Sequence, residues 1–124
     1  MKYLLDTNII IKLTMAQSEP LRIRAAECLD GDMVTSSIAI AEVLYGSVND
    51  KPPTLDQLEG FLQVVPVLDF DMAAASAYST LPFERASYDR LIAAHALSLN
   101  LTVITDNMKH FRQVPGLQVE NWTQ

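Results

Sequence analysis

The first thirteen residues place the strongest limits on how this chain can fold. A short apolar run, Tyr3 to Leu5, stops at Asp6, and a second apolar run follows Asn8. The first run is apolar on both faces, which is typical of a central strand in a parallel sheet. Thr7 or Asn8 can then cap a helix. Asp6 is therefore expected at the carboxyl end of a central strand, where open α/β sheets place their chemistry.

Strand-like and helix-like patterns alternate along the rest of the chain. Helices are predicted over 18–31, 37–46, 55–62, 69–81 and 87–100, and strands over 33–35, 64–68, 101–105 and 117–119. Pro66 favours an edge position for the strand that contains it. This alternation predicts a three-layer α/β fold, a central and mostly parallel sheet flanked by helices, in a single domain spanning residues 1–124.

Composition excludes several classes of protein. A single cysteine, Cys28, rules out an internal disulfide and a cysteine-based zinc site, and it fits a reducing, cytoplasmic location. Cys28 lies in a helical pattern and is predicted to be a small core residue. Asp6 and Asn8 interrupt the N-terminal apolar stretch too early for a signal peptide. The net charge of −6 argues against a simple electrostatic nucleic-acid binder, but not against an enzyme whose acids hold cations.

Four carboxylates stand where a core should be apolar: Asp6, Glu42, Asp89 and Asp106. Burying an unpartnered ionised carboxylate costs several kcal/mol. The four could be tolerated if they converged on a divalent cation, because Mg²⁺ and Mn²⁺ prefer oxygen ligands. Each acid also has a purely structural interpretation. Asp6 suits a helix cap or a turn, Asp106 suits a turn, Asp89 suits the first turn of a helix, and Glu42 could have a buried partner.

Several stretches, taken together and in order, resemble proteins of the PIN-domain family, and most of all the VapC toxins of bacterial toxin–antitoxin pairs. They are LLDTNI at 4–9, SSIAIAEVLYG at 36–46, YDRLIAAHA at 88–96, VITDN at 103–107 with Phe111, and PGLQVENW at 115–122. The resemblance covers essentially the whole chain, and the combination is far more specific than any one motif.

This resemblance implies a metal-dependent endoribonuclease. In it, Asp6, Glu42 and Asp89 would hold Mg²⁺ or Mn²⁺, which would activate a water and neutralise the scissile phosphate. In-line attack would leave a 5′-phosphate and a 3′-hydroxyl. The orienting side chains would be Thr7, Asn8, Thr105 and Asn107, although Asn8 could equally be a helix cap. The resemblance further implies a homodimer, a small antitoxin whose tail occupies the active-site groove, and a structured RNA substrate such as tRNA.

Two departures from the family pattern affect the site. The family's fourth acid usually falls at the position of Asn107, so that either its neighbour Asp106 or Asn107 itself could supply the fourth ligand. The segment before Asp89, residues 81–87, is also shorter than usual and lacks the glycine-containing loop of relatives. The groove beside Asp89 is therefore expected to differ in shape, which concerns the preferred substrate more than the chemistry.

The remaining polar residues near the expected site have simpler roles. His95 is predicted to be a hydrogen-bonded core histidine and His110 to be exposed. The plausible phosphate contacts are Lys12, Arg85, Arg90, Lys109 and Arg112.

Two alternatives to a nuclease stay open. One is a non-catalytic module of the same fold that acts by binding within a toxin–antitoxin repressor complex. The other is a receiver-like phosphoryl-transfer domain. A receiver-like domain would need paired acids at the first strand, which Asp6-Thr7-Asn8 does not supply.

Overall fold

The computed structural model describes residues 1–124 and contains five strands and seven helices. The strands are β1 (Tyr3–Leu5), β2 (Met33–Ser36), β3 (Val67–Leu68), β4 (Thr102–Ile104) and β5 (Val119–Glu120). The helices are α1 (Thr7–Thr14), α2 (Glu19–Ala26), α3 (Ser37–Val48), α4 (Leu55–Val64), α5 (Met72–Ser79), α6 (Tyr88–Leu99) and α7 (Met108–Arg112). No helix has the length and apolar character needed to cross a membrane.

The strands form one sheet in the order β3-β2-β1-β4-β5, and every pairing is parallel. The predicted α/β class, with a central sheet flanked by helices, is confirmed. β1 lies in the middle, and Leu4 and Leu5 are fully buried. The strand after Pro66 is an edge strand, as predicted. Receiver-like domains use the order 2-1-3-4-5, so the observed order excludes that alternative.

Several predicted element boundaries are wrong. Asp6, not Thr7 or Asn8, caps α1, because its carboxylate accepts a hydrogen bond from the N–H of Ile9. Helix α3 continues past Gly46 to Val48. The edge strand is shorter than predicted, and the last strand begins two residues later, at Val119.

Helix α2 is also shorter than predicted, which changes the environment of Cys28. The helix ends at Ala26 rather than near Gly31, so Cys28 lies beyond it. The Cys28 side chain is only partly buried against the core, and its thiol contacts the carbonyl of Arg24 at 3.5 Å. The prediction that Cys28 is a core residue within a helix is therefore wrong.

His95 is buried at the centre of the molecule, as the sequence predicted. Its side chain on α6 is 1% exposed, and its Nδ1 lies 2.8 Å from the Ser36 hydroxyl, which caps α3. The Phe70 ring packs edge-on against the imidazole, with a centroid separation of 5.5 Å. This hydrogen bond joins the start of α3 to the middle of α6, the two helices that carry Glu42 and Asp89.

Candidate active site

The carboxyl ends of β1 and β4 bring two acidic segments together. The strands run parallel with Leu5 opposite Ile104, so the residues that follow each strand meet at one edge of the sheet. The backbone N–H of Asp6 donates to the Ile104 carbonyl at 3.1 Å, which holds the two chain segments side by side. Asp6 therefore lies next to Thr105 and Asp106.

Both carboxylate oxygens of Asp6 accept hydrogen bonds from the protein. Oδ1 accepts from the backbone N–H of Ile9 at 3.0 Å, and Oδ2 accepts from the Thr105 hydroxyl. Asp6 thus has two roles, as the cap of α1 and as a carboxylate at the centre of the site. The Thr105 hydroxyl therefore fixes the orientation of the Asp6 carboxylate.

Asp6 is poorly stabilised as an anion. It is 3% exposed, and burial raises its pKa from 3.8 to about 7, against the opposing effect of the hydrogen bonds from Thr105 and Ile9. The negative charges of Asp106 and Asp89 add to the rise. No Lys or Arg side chain forms an ion pair with Asp6 in this structure.

Glu42 is oriented by the first residue of α1. The Thr7 hydroxyl donates to Glu42 Oε1 at 2.7 Å, which links α1 to the middle of α3. The half-buried Glu42 side chain has a raised pKa, chiefly because of its burial, and the charge of Asp89 contributes to the rise. This acid in an otherwise apolar helix therefore has a polar partner in the Thr7 hydroxyl.

Asp89 lies in the first turn of α6, which Ser87 caps. Asp89 Oδ2 is 3.5 Å from Asn107 Nδ2 and 3.3 Å from His110 Nδ1. The Asn107 backbone N–H donates in turn to the Thr105 hydroxyl at 2.9 Å. A continuous chain of hydrogen bonds therefore runs from Asp6 through Thr105 and Asn107 to Asp89.

Asp6, Glu42 and Asp89 are connected by short hydrogen-bonded links. Thr105 and Asn107 join Asp6 to Asp89, and Thr7, which directly follows Asp6, donates to Glu42. The three acids do not form a closed cage, since no three acidic or imidazole side chains lie close enough to hold an ion as they stand. Their chemistry nevertheless fits a divalent cation. All are hard oxygen donors, and neither Asp6 nor Glu42 forms an ion pair with a Lys or Arg side chain that would balance its charge.

Asp106 has a different partner. Its Oδ2 lies 2.6 Å from the ammonium nitrogen of Lys12, and the side chains are 22% and 33% exposed. Lys12, which the sequence suggested as a phosphate contact, is therefore engaged by an acid of the site. Asn107, not Asp106, is the residue that faces Asp89.

Asn8 stands apart from the other polar residues of the site. It is exposed in the first turn of α1, and its side chain makes no hydrogen bond. The interpretation of Asn8 as the helix cap is wrong, because Asp6 takes that position.

A cationic pocket of about 420 Å³ opens beside Asp89. Its charged and polar lining includes Arg85, Ser87, Asp89, Arg90, Lys109, His110 and Gln113. The Arg90 guanidinium lies over the Phe83 ring at 4.1 Å and donates to the Arg85 carbonyl. Of the phosphate contacts suggested by the sequence, three line this pocket, whereas Lys12 and Arg112 do not.

Sequence reasoning gave His110 no role in the site. It is exposed, as predicted, but it also contacts Asp89 and lies 3.0 Å from Asn107 Nδ2. The signal available in the sequence was its spacing, three residues after Asn107 in a short helix.

A second opening, of about 470 Å³, lies beside Glu42 and is lined by Ala41, Tyr45 and Tyr88.

Comparisons with known proteins agree on the family. The family model described as PIN domain matches residues 3–117. The chain is 35% identical to the tRNA(fMet)-specific endonuclease VapC of Shigella flexneri, over 99% of both chains. It superposes on the DNA-bound VapBC structure of Salmonella typhimurium with a TM-score of 0.86 and 33% identity, over 98% of both chains. The chain also superposes on the Rickettsia felis VapBC2 structure bound to a promoter DNA fragment, with a TM-score of 0.83 and 30% identity. That match covers 98% of this chain and 99% of the other.

Proposed function

The chain belongs to the PIN-domain family and to its VapC group, and we propose that it is a metal-dependent endoribonuclease, the toxin of a toxin–antitoxin pair. The observation that most supports this proposal is that Asp6, Glu42 and Asp89 each accept a hydrogen bond from a side chain of another segment, while Asp89 also lines a cationic pocket. The related proteins are named endonucleases and ribonucleases, which supports hydrolysis of RNA as the reaction.

Asp6, Glu42 and Asp89 are the residues that would hold Mg²⁺, with Mn²⁺ as a substitute. A bound divalent ion supplies charge neutralisation at the phosphate and lowers the pKa of water. The chain contributes the orientation of its carboxylates. Thr105 and the N–H of Ile9 fix Asp6, Thr7 fixes Glu42, and Asn107 with His110 positions Asp89.

The pocket beside Asp89 would bind phosphates that flank the scissile bond. Arg85, Lys109 and His110 line it, and guanidinium and ammonium groups are the usual partners of RNA phosphates. Hydrolysis would leave a 5′-phosphate and a 3′-hydroxyl. We propose structured RNA such as tRNA as the substrate, because the Shigella flexneri relative is named for a tRNA.

The proposed partners are a small antitoxin and a second copy of this chain, in the cytoplasm. The related structures are toxin–antitoxin complexes, which supports the antitoxin. Tyr45 and Val48, three residues apart on α3, are 74% and 62% exposed, so this helix offers apolar surface on which a second copy could pack.

The PIN-domain match over residues 3–117 supports a single domain spanning the chain.

Cleavage of a small-RNA pool tests the proposed function. The wild type should make discrete cuts with Mg²⁺ or Mn²⁺ and none with EDTA. Glu42→Gln should lower the rate at least about 100-fold, since it removes a charged ligand without changing the side-chain shape. Glu59→Gln, at an exposed position on α4, is the matched control and should cleave normally.

The second candidate, a non-catalytic module within a repressor complex, gives the opposite result in the same assay. A folded wild type that binds Mn²⁺ but leaves every RNA of the pool intact would favour that candidate. The three site carboxylates argue against it, because a module that only binds partners gains nothing from partly buried acids that lack cations.

A further inference from the structure

The ion pair between Lys12 and Asp106 is the one contact between a Lys or Arg side chain and an acid of the site. Lys12 lies on α1, six residues after Asp6, and its ammonium reaches back to the residue that follows Thr105. The short distance of 2.6 Å and the partial burial of both side chains give the pair a defined position at the rim of the site.

The acids of the site differ in how their charge is balanced. Asp6 and Glu42 accept hydrogen bonds from neutral donors alone, and Asp89 contacts the Asn107 amide and the His110 imidazole. Asp106 alone is paired with an ammonium, which carries a full positive charge. Asp106 directly follows Thr105, whose hydroxyl donates to the Asp6 carboxylate, so the ion pair begins one residue from the contact that orients Asp6.

Two-metal nuclease sites hold ions about 3.5–4 Å apart, which requires carboxylates enough to neutralise both. In this chain the position after Asp106 is Asn107, whose neutral amide adds no charge. Asp106 is therefore the acid that would have to serve a second ion beside Asp6. Its Oδ2 already has a cation at contact distance, on a side chain tethered to α1.

We propose that Lys12 takes the place of a second metal ion and keeps Asp106 out of the metal's ligand set. The chain would then bind a single divalent ion, on Asp6, Glu42 and Asp89. This inference rests on the proposed function, because it concerns the metal site of that nuclease. It assigns Lys12 as a positioning residue and gives Asp106 no direct contact with the metal.

Counting bound Mn²⁺ by calorimetry and by the electron paramagnetic resonance of free Mn²⁺ tests the inference without RNA. The wild type should bind one ion per chain. Lys12→Met, which keeps most of the side-chain length but removes the charge, should gain a second and weaker site. Adding Asp106→Asn to Lys12→Met should abolish that second site. Lys2→Met is the matched control, because Lys2 directly precedes β1 and so lies at the amino end of the strand, whereas Asp6 follows its carboxyl end.

The outcomes separate this inference from the proposed function. Two ions in the wild type, with the second lost in Asp106→Asn, would overturn the inference and leave the nuclease intact. A single ion in both Lys12→Met and Lys12→Gln, each checked for a cooperative melting transition, would also overturn it. A folded wild type that binds no Mn²⁺ would overturn the metal site itself and the inference with it.

Discussion

Asp6 is the residue at which the demands of folding and of metal binding oppose each other. Its carboxylate caps α1, yet its burial raises its pKa to about 7, so a proton rather than a negative charge suits the metal-free fold. A divalent ion would reverse this preference by favouring the anion. Metal binding near neutral pH should therefore release a proton from Asp6.

The raised pKa of Asp6 predicts a pH dependence of stability. A carboxylate whose pKa is higher in the folded state binds more protons there, so its contribution to stability is complete below pH 3.8 and is lost as the pH rises through about 7. Asp6→Asn stays neutral and should not suffer this loss. In EDTA, its free energy of unfolding should exceed that of the wild type by up to roughly 4 kcal/mol at pH 8.

Urea unfolding of both proteins at pH 4, 6 and 8 measures this difference. The gap should be small at pH 4 and should grow with pH. A gap that is the same at all three pH values would show that the Asp6 carboxyl is not the group responsible. With Mg²⁺ present at pH 8, the wild type should gain stability and Asp6→Asn should not.

Thr7 gives a second prediction at the scale of single residues. Its hydroxyl holds Glu42 Oε1 at 2.7 Å, so Thr7→Val keeps the shape of the side chain but leaves Glu42 free to rotate. The loss of a residue that orients a metal ligand typically lowers metal affinity about 10–100-fold. Thr7→Ser retains the hydroxyl and is the control. Mn²⁺ calorimetry should separate the two, and equal affinities would contradict the orienting role.

The sequence showed which acids were out of place but not all of their partners. Glu42 was recognisable because its helix is otherwise apolar, and Asp6 because it directly follows a buried strand. The partner of Asp106 could not be predicted, because Lys12 is remote in sequence and meets it only through the adjacency of β1 and β4. His110 was missed for a similar reason, since its contact with Asp89 depends on how α7 packs.

Among the elements, α3 and α6 must keep a fixed relation, because α3 carries Glu42 and α6 carries Asp89. The buried hydrogen bond between Ser36 and His95 joins them. Burial lowers the pKa of His95, which favours the neutral imidazole that hydrogen-bonds with the Ser36 hydroxyl. This pair therefore links the helices that carry Glu42 and Asp89 without contacting either acid.

His95→Leu is expected to destabilise the fold and to weaken the site. It leaves the Ser36 hydroxyl without its imidazole partner in the core, which should cost about 1–3 kcal/mol of unfolding free energy. Mn²⁺ affinity should also fall, because α3 and α6 lose the contact that aligns them. Ser98→Ala, on the same helix, is the control for both urea unfolding and calorimetry. Unchanged stability and Mn²⁺ affinity in His95→Leu would show that the hydrogen bond between Ser36 and His95 does not align the two helices.

The order and type of the elements were predictable, whereas several of their ends were not. Ser87 and Asn100 mark the ends of α6 as expected, because a serine cap and a left-handed asparagine leave little alternative. At α1 three polar residues in a row could each cap the helix, and only the strand geometry selects Asp6. At α3 the glycine does not end the helix, which continues through Gly46 to Val48.

At the scale of the whole molecule, a net charge of −6 coexists with a concentrated cationic pocket. RNA binding should therefore depend on a few local charges rather than on the overall field. Lys109→Gln should weaken RNA binding and lower the salt dependence of the affinity by about one unit of logarithmic slope. Lys2→Gln also removes one positive charge, but at the amino end of β1, away from the pocket, and should leave the slope unchanged. Equal effects would mean that the pocket does not bind phosphate.

The most direct test of the metal-dependent nuclease is an anomalous difference map from a crystal of the wild type soaked in Mn²⁺. We expect one peak per chain, in contact with the carboxylates of Asp6, Glu42 and Asp89, with Lys12 still paired to Asp106. A map with no peak at these carboxylates, from a crystal in which they are open to solvent, would contradict the proposed metal site.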